Sequence, residues 1–383
     1  MAGPRWVSRA TEDQFWAFVR ERHAIYERRK RGKRRPWTQD PILHLYKFTN
    51  IYRELDKTTV ALRAFFRDDV RCYHRDPAAF VFNVVWARWT SWPASWATLG
   101  YRREWDPVVV KAKLHARRLA GEKVFTGAYI ICAAPNRAKI DSIVDAATAV
   151  WKDREALHAV CRASKSLQAA AQKLTEYYLI GKFMAYEVVT DLRHTPVLSD
   201  AKDINTWANP GPGAKRGLMR LHGPLGTPGR LAAMRALLSH SRLHTRLPWM
   251  ELRDIEHALC EWDKYCRVLY AEGTPRTYYA NGPTDADLLA LQRLRATVGV
   301  NITERTPMEL VLRRLSQVQL KRVAARYRAA HGKPLKTADM PAAAQQLTVD
   351  LQARQPRVRS AYRVAKAAVR AYMQGDYDAI HGG

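Results

Sequence analysis

The side chains best suited to chemistry fall in four separated stretches. The first is Phe48-Thr49-Asn50-Ile51-Tyr52-Arg53-Glu54-Leu55-Asp56. Read as helix, Asn50, Arg53 and Asp56 recur at i, i+3 and i+6 with Lys57 at i+7, a polar edge on an otherwise apolar segment. The same spacing also suits ordinary surface ion pairs, Arg53–Asp56 and Glu54–Lys57. The second stretch runs from Asp254 to Tyr265. As helix it sets Glu256, Cys260, Asp263 and Lys264 along one face, with His257 and Glu261 beside them. Carboxylates and a histidine within mutual reach suit general-base work. His257 and Glu261 at i, i+4 would also suit a divalent cation, but the pattern supplies no third ligand.

The third stretch is Asp203-Ile204-Asn205-Thr206-Trp207-Ala208-Asn209-Pro210-Gly211-Pro212-Gly213-Ala214-Lys215-Arg216-Gly217-Leu218. A short helix is predicted to run into Pro-Gly-Pro-Gly, with the next helix starting near Ala214. Glycines let backbone approach a ligand closely, and the amides of a helix start attract anions. Gly211, Gly213, Ala214, Lys215, Arg216 and Gly217 are therefore candidate DNA-phosphate contacts, in the manner of a helix-hairpin-helix element resembling that of helical DNA glycosylases. A glycosylase of that type carries an Asp roughly 20 residues after the hairpin, and residues 228–245 contain no acid. The competing reading is a plain interhelical loop. The fourth stretch is aromatic: Phe80, Phe82, Trp86, Trp89, Trp92, Trp96 and Tyr101. Such a stripe serves either as core or as a stacking pocket for an extruded base.

Helices must position these groups. Thr11-Glu12-Asp13 opens one over 10–30, which ends in the cationic run Arg28–Arg35 before Pro36. That run reads either as solvated linker or as a phosphate-binding arm. Asp40-Pro41 is predicted to start a long helix reaching Phe66, and Asp76-Pro77 another. Further helices are expected near 103–120, 137–150, 153–191, 228–240, 248–270 and 284–296. The apolar run Val124–Ala134 suits a short strand or a buried helix equally. Beyond 300 the chain has 15 Lys/Arg against 6 Asp/Glu, with helices expected at 307–330, 339–353 and 356–373. The fold class is all-α: a basic N-terminal helix and arm at 1–37, a main helical domain at 38–300 and a basic helical appendage at 301–383.

Composition narrows the function. Of the 383 residues, 47% are hydrophobic, enough for a substantial core. Five scattered cysteines without a Cys-x-x-Cys pair argue against a disulfide framework or zinc module. No apolar run is long enough for a membrane span, and the first residues lack a signal-peptide core, so a soluble intracellular protein is expected. The net charge of +28 points to a polyanion, nucleic acid ahead of an anionic membrane surface, because the cations are spread along the whole chain. There is no zincin motif, Walker loop or nucleophile elbow.

Five stretches together resemble a known family. They are Tyr46-x-Phe48-x-Asn50-x-Tyr52-Arg53-x-Leu55-Asp56, Phe125-Thr126-Gly127-Ala128-Tyr129, Gly181-Lys182-Phe183-Met184-Ala185-Tyr186 with Asp191-Leu192, Gly211-Pro212-Gly213-Ala214-x-Arg216-Gly217, and Glu256-His257-x-Leu259-Cys260-Glu261-x-Asp263-Lys264-Tyr265. Over roughly residues 40–280 the chain resembles the alpha-glutamyl/putrescinyl thymine pyrophosphorylase family of DNA phages, which is similar to the helical domain of hydroxymethyl-deoxyuridine DNA kinases. The resemblance implies hypermodification of thymine positions in phage DNA, in the cytoplasm of the infected cell. A hydroxymethyluracil already converted to its pyrophosphate ester would exchange pyrophosphate for the amine of an amino acid such as glycine, or of a polyamine. Without a P-loop, this sequence is expected to act as the transferase and not to make the ester.

The expected partners are double-stranded DNA carrying modified pyrimidines and the amine co-substrate; magnesium is the one cofactor that the leaving group would invite. Arg53, Lys182 and Lys264 are candidates to face the departing pyrophosphate, and Asp56, Glu256, His257 or Asp263 to act as base. Asn50 is the candidate reader of the uracil edge; Tyr52, Trp86 and Trp89 are the candidates for stacking. A non-enzymatic DNA-binding protein, or a glycosylase excising a modified base, are the alternatives.

Overall fold

A computed structural model describes residues 10–67, 70–125, 133–244, 247–272, 279, 283–300, 317–332, 343–345, 347 and 369. Every regular element among them is helical: α1 Glu12–Lys30, α2 Pro41–Leu45, α3 Lys57–Arg67, α4 Val70–Arg75, α5 Pro77–Thr90, α6 Pro93–Leu99, α7 Pro107–Leu119, α8 Lys139–Lys152, α9 Arg154–Ser164, α10 Leu167–Leu174, α11 Lys182–Leu192, α12 Pro212–His222, α13 Thr227–Ser241, α14 Leu252–Leu269, α15 Asp285–Thr297 and α16 Gln317–His331, with a 3-10 turn at Arg53–Leu55. The all-α class is as the sequence predicts. Most of the run Val124–Ala134, the motif residues Thr126 to Tyr129, and most of the helices expected at 339–353 and 356–373 lie outside the described residues. None of the described helices is long and apolar enough to cross a membrane.

The chain forms two compact units, one from Arg9–Tyr26 with Thr49–Trp262, the other mainly from Glu27–Phe48 with Asp263–Gly383. At the centre of the first lies α5, whose residues from Ala78 to Thr90 are all buried. A helix that is apolar on every side has to be surrounded, and α5 packs against α4, α6, α8, α9 and α11. The Asp76 side chain accepts from the Ala79 amide at 2.9 Å, Pro77 fills the first helical position, and Ser91 ends the helix in a left-handed conformation with φ 46°. Asp106 and Pro107 start α7 by the same device.

In the second unit α2 packs on α15. Asp40 caps α2 through the Ile42 and Leu43 amides at 2.8 and 2.9 Å and accepts from the Tyr265 hydroxyl at 2.6 Å. The cationic run after α1 folds around Trp37. Arg28 donates to the Trp37 carbonyl at 2.5 Å, while the guanidiniums of Arg29 and Arg35 lie 4.9 and 5.4 Å from its ring.

Two expected helices are interrupted and a third does not form. The helix predicted from Pro41 to Phe66 ends at Leu45; the chain then runs extended to Asn50, turns at Arg53–Leu55 and resumes as α3. Polar side chains satisfy the backbone where the helix would have done so: the Asn50 amide donates to Asp56 at 3.2 Å and its side chain to the Leu55 carbonyl at 2.7 Å. The span 153–191 is three helices. Lys165 at φ 44° and Leu179 at φ 65° break it, and Asp203 caps α10 from a distance through the Leu167 and Gln168 amides at 2.7 and 2.9 Å. The short helix expected before Pro210 is a series of turns, because Asp203 is engaged in that cap.

Helix α12 meets α14 through two glycines. A methyl group on Gly213 would lie 2.5 Å from the Cys260 sulfur, and one on Gly217 2.5 Å from the Leu259 carbonyl oxygen. Gly217→Ala is therefore expected to destabilise the fold by about 1–3 kcal/mol in denaturant unfolding. Gly229→Ala is the control. Its added methyl meets only Leu225 at 3.5 Å, inside α13, so stability should hold or rise by up to ~1 kcal/mol.

Candidate functional site

The first unit is organised around a buried guanidinium. Arg53, 3% exposed, donates to Asp56 at 2.9 Å, to the Thr59 hydroxyl at 3.0 Å and to Glu187 of α11. Its backbone amide donates to Asp254 of α14 at 3.0 Å. The pattern continues inward: Arg88 of α5, wholly buried, lies 3.9 Å from Glu187 and forks onto Asp191, one contact being 2.6 Å. A charge removed from water is tolerated only when paired and hydrogen-bonded. Here two arginines are matched by three carboxylates, Asp56 from the loop of Arg53 itself and Glu187 and Asp191 one turn apart on α11.

Around this core sit the other polar residues of the first and last motifs. Asn50 accepts from Arg22 of α1 at 2.9 Å. His257 lies 3.5 Å from Asp56 and 2.9 Å from the Thr49 hydroxyl, and the Thr49 amide donates to Glu261 at 2.8 Å. Arg253 binds Glu54 at 2.7 Å and His194 at 2.6 Å; burial and the Arg253 charge hold that histidine neutral, far below its usual range.

Glu256 connects this cluster to the glycine-proline turn. Its Oε1 accepts from the Gly211 amide at 2.9 Å, at the start of α12. Burial pushes its carboxyl up to about 7, the Gly211 hydrogen bond opposing the shift, and burial likewise raises Asp254 to about 6. Above these two lies Tyr186 of α11, 4% exposed, its hydroxyl without a hydrogen-bond partner among the described residues. Burial, then Glu256 and Glu187, lift its phenol well above the usual value, so it remains a proton donor. The Asn209 side chain donates to the Lys182 carbonyl at 3.0 Å, tying the turn to the first residue of α11. The N-termini of two eleven-residue helices thus share one neighbourhood with exposed Lys182 and Lys215, and with partly exposed Arg216. Both helix dipoles present their positive ends there.

Asn50, Arg53, Asp56, Glu256, His257 and Gly211 are thereby brought together, although the first three share a loop and not a helical edge. Several expectations need correction. Arg53 is engaged by Asp56, Thr59 and Glu187 in the interior, so it organises the cluster instead of facing a departing pyrophosphate. Gly213 and Gly217 face α14, and Ala214 is fully buried; their small size serves helix packing. Trp86 and Trp89, 3% and 2% exposed inside α5, are core residues with no ring face open to a base. Tyr52 is buried against His23 with its hydroxyl on the Pro248 carbonyl at 2.7 Å. Asp263 and Lys264 belong to the second unit, where Asp263 lies 3.6 Å from Arg267 and the Lys264 ammonium 4.6 Å from the Phe48 ring. Among the described residues no group of three or more His, Cys, Asp and Glu side chains is disposed to hold a metal ion.

Arg88, Glu187 and Arg253 were not singled out from the sequence. Arg88 carried a usable signal, being the one charged residue between Pro77 and Thr90.

The chain matches the 5-hmdU DNA kinase helical-domain family over residues 9–274. It is 29% identical to a 5-hmdU DNA kinase of Bacillus phage SP10, an alignment covering 66% of this chain and 44% of that protein, so the chain spans less than half of its relative's length. No solved structure matches it.

Two outcomes test the geometry. Arg53→Ala strands Glu187 and Asp56 and should cost about 3–5 kcal/mol in denaturant unfolding. For Glu256 the folded-state carboxyl holds its proton to higher pH than the unfolded one. Its contribution is therefore neutral in acid and turns unfavourable as pH rises from about 4.5 through about 7. Glu256→Gln retains an acceptor for Gly211 and should gain stability over the unsubstituted chain between pH 5 and pH 8, on the order of 2–3 kcal/mol.

Proposed function

The chain belongs to the family of the 5-hmdU DNA kinase helical domain, and from that premise we propose that it modifies thymine-derived bases in phage DNA. The finer reading is a transfer. The 5-pyrophosphoryloxymethyl group of a uracil in DNA loses pyrophosphate to the amine of an amino acid or polyamine. The carbon–oxygen bond of the ester breaks with its electron pair leaving on pyrophosphate, a carbon–nitrogen bond forms at the methylene, and one proton leaves the nitrogen.

The observation that carries this reading is the meeting of Asn50–Asp56, Tyr186 and Glu187 of α11, the Gly211 turn and Glu256–His257 in one neighbourhood. Each component has a task that the reaction requires. An amine attacks only when unprotonated, and a carboxylate raised to about 7 is matched to accept its proton near neutral pH. Negative charge grows on the departing pyrophosphate, and the adjoining N-termini of α11 and α12 with Lys182, Lys215 and Arg216 offer the stabilising positive field. A magnesium ion, where present, would be held mainly by the oxygens of the leaving group. Removal of the base from the helix costs a few kcal/mol, which binding of a chain with net charge +28 to the flanking phosphates offsets.

The test uses the full chain, duplex DNA bearing 5-pyrophosphoryloxymethyluracil, and glycine or putrescine, followed by digestion and mass analysis of the nucleosides. The expected product is the amine-substituted nucleoside. Glu256→Gln should slow its formation by about 10²-fold or more, and Lys182→Ala by roughly tenfold or more, both with DNA affinity within a few-fold. Full DNA binding with no substituted nucleoside for any amine would reduce the protein to a DNA-binding one. Abasic sites in its place would make it a glycosylase.

A further inference from the structure

The 47 residues from Ile204 to Met250 contain seven Lys/Arg and no Asp or Glu. This acid-free stretch forms the glycine-proline turn, α12, α13 and the segment leading into α14. Where it ends, Trp249 is 68% exposed, an unusual state for the largest apolar side chain, and Leu243 nearby is 76% exposed. The Arg242 guanidinium lies 4.4 Å from the Trp249 ring centroid, a cation stacked on an indole. Beside them opens a cavity of about 200 Å³, with Asn205, Ser241, Arg242, His244, Pro248 and Trp249 on its wall.

The cavity is firmly built. Tyr52 donates to the Pro248 carbonyl at 2.7 Å, and the Asn205 side-chain oxygen accepts from the Leu252 amide at 3.2 Å, fixing both ends of the Trp249 segment. Arg20 bonds His244 at 2.9 Å, and the Trp16 ring lies 4.5 Å from that imidazole. Burial first, then the Arg20 charge, lower the His244 pKa, so the wall carries a neutral ring edge at neutral pH. An aromatic face, a stacked cation and neutral polar edges on a segment without acids of its own are the combination that holds a base attached to a phosphate backbone. Glu12 of α1, an acid acting on this wall, is engaged by His240 at 2.7 Å and by Trp16 at 2.9 Å.

We propose that the Trp249 cavity receives one unpaired nucleobase of bound DNA, stacked on Trp249 and steadied by Arg242. The proposal rests on the DNA-binding half of the proposed function and not on the transfer. Cations along α13 hold the strand, and the indole face takes whichever base has left its pair. Because every base has a stacking face, the site selects unpaired over paired DNA without selecting sequence.

Binding of the full chain to unmodified duplexes tests this, with one strand fully paired or carrying a single bulged base, read by fluorescence anisotropy. The unsubstituted chain should bind the bulged duplex more tightly. Trp249→Ala should reduce that preference by about tenfold and leave affinity for the paired duplex within about twofold. Trp249→Phe should keep most of the preference, and Arg242→Ala should lose part of it together with part of the salt dependence. Trp249 is solvent-exposed, so the thermal unfolding midpoint of Trp249→Ala should match that of the unsubstituted chain. The proposal is overturned if the unsubstituted chain shows no preference, or if Trp249→Ala keeps it. Since neither modified base nor amine is present, a failure of the transfer reaction leaves this result untouched. Equally, transfer with an intact preference in Trp249→Ala would sink the cavity alone.

Discussion

A guanidinium with nearly all its surface withdrawn from water holds the first unit together. Arg53 has no alternative to its carboxylates, since an arginine cannot discard its proton and an unpaired buried charge costs several kcal/mol. Its position commits the loop at 46–56 to α11 through Glu187, to α3 through Thr59, and to α14 through the backbone bond to Asp254. Arg88 carries the pairing on to α5, the helix that the apolar core surrounds. A register slip in α11 or α14 would leave one of these charges alone. Whether or not the network adds net stability over an apolar replacement, it penalises alternative packings heavily.

That commitment divides the polar groups of the site into two kinds. Arg53, Arg88, Glu187 and Asp191 neutralise one another in the interior and leave little field for a substrate. Glu256 and Tyr186 are different. One is a carboxyl that burial has made a base of near-neutral strength, and the other is a hydroxyl lacking any hydrogen-bond partner among the described residues. Unsatisfied buried polar groups are uncommon in folded proteins and concentrate where a ligand or water completes them. The Gly211 amide, accepting the role of donor to Glu256, makes the α12 turn part of the site's architecture, and this explains its glycines better than direct contact with phosphate does.

The buried charges of the described residues nearly cancel. Among the described residues the buried carboxylates (Asp56, Glu187, Asp191, Asp203, Asp254, Glu261 and Asp263) are nearly balanced by buried arginines (Arg22, Arg53, Arg88, Arg220, Arg253 and Arg295). Among the described residues the excess of Lys and Arg over Asp and Glu is thus not spent in the interior, and an excess of that sign attracts a polyanion. The segment 204–250 contributes cations with no acids to offset them. Its exposed aromatic, Trp249, differs from Trp86 and Trp89 only in what surrounds it, and that difference separates a stacking surface from core.

Composition and local pattern were enough to establish the helical class, the Asp-Pro starts of α2 and α5, and the excess of cations, because caps and the 3.6-residue period are properties of neighbouring residues. They were also enough to mark Arg53 and Asp56 as a polar edge on an apolar segment, and Glu256 and His257 as groups suited to general-base work. They misjudged the stretch after Leu45, where helical spacing was present but Asn50 and Asp56 offered the backbone better partners in a loop. The pairing of Arg53 with Glu187 spans 134 positions of sequence, and nothing local announces it. Only the tertiary structure decided which charges would be spent on one another, because the cost of leaving water is settled by whatever the rest of the chain brings alongside.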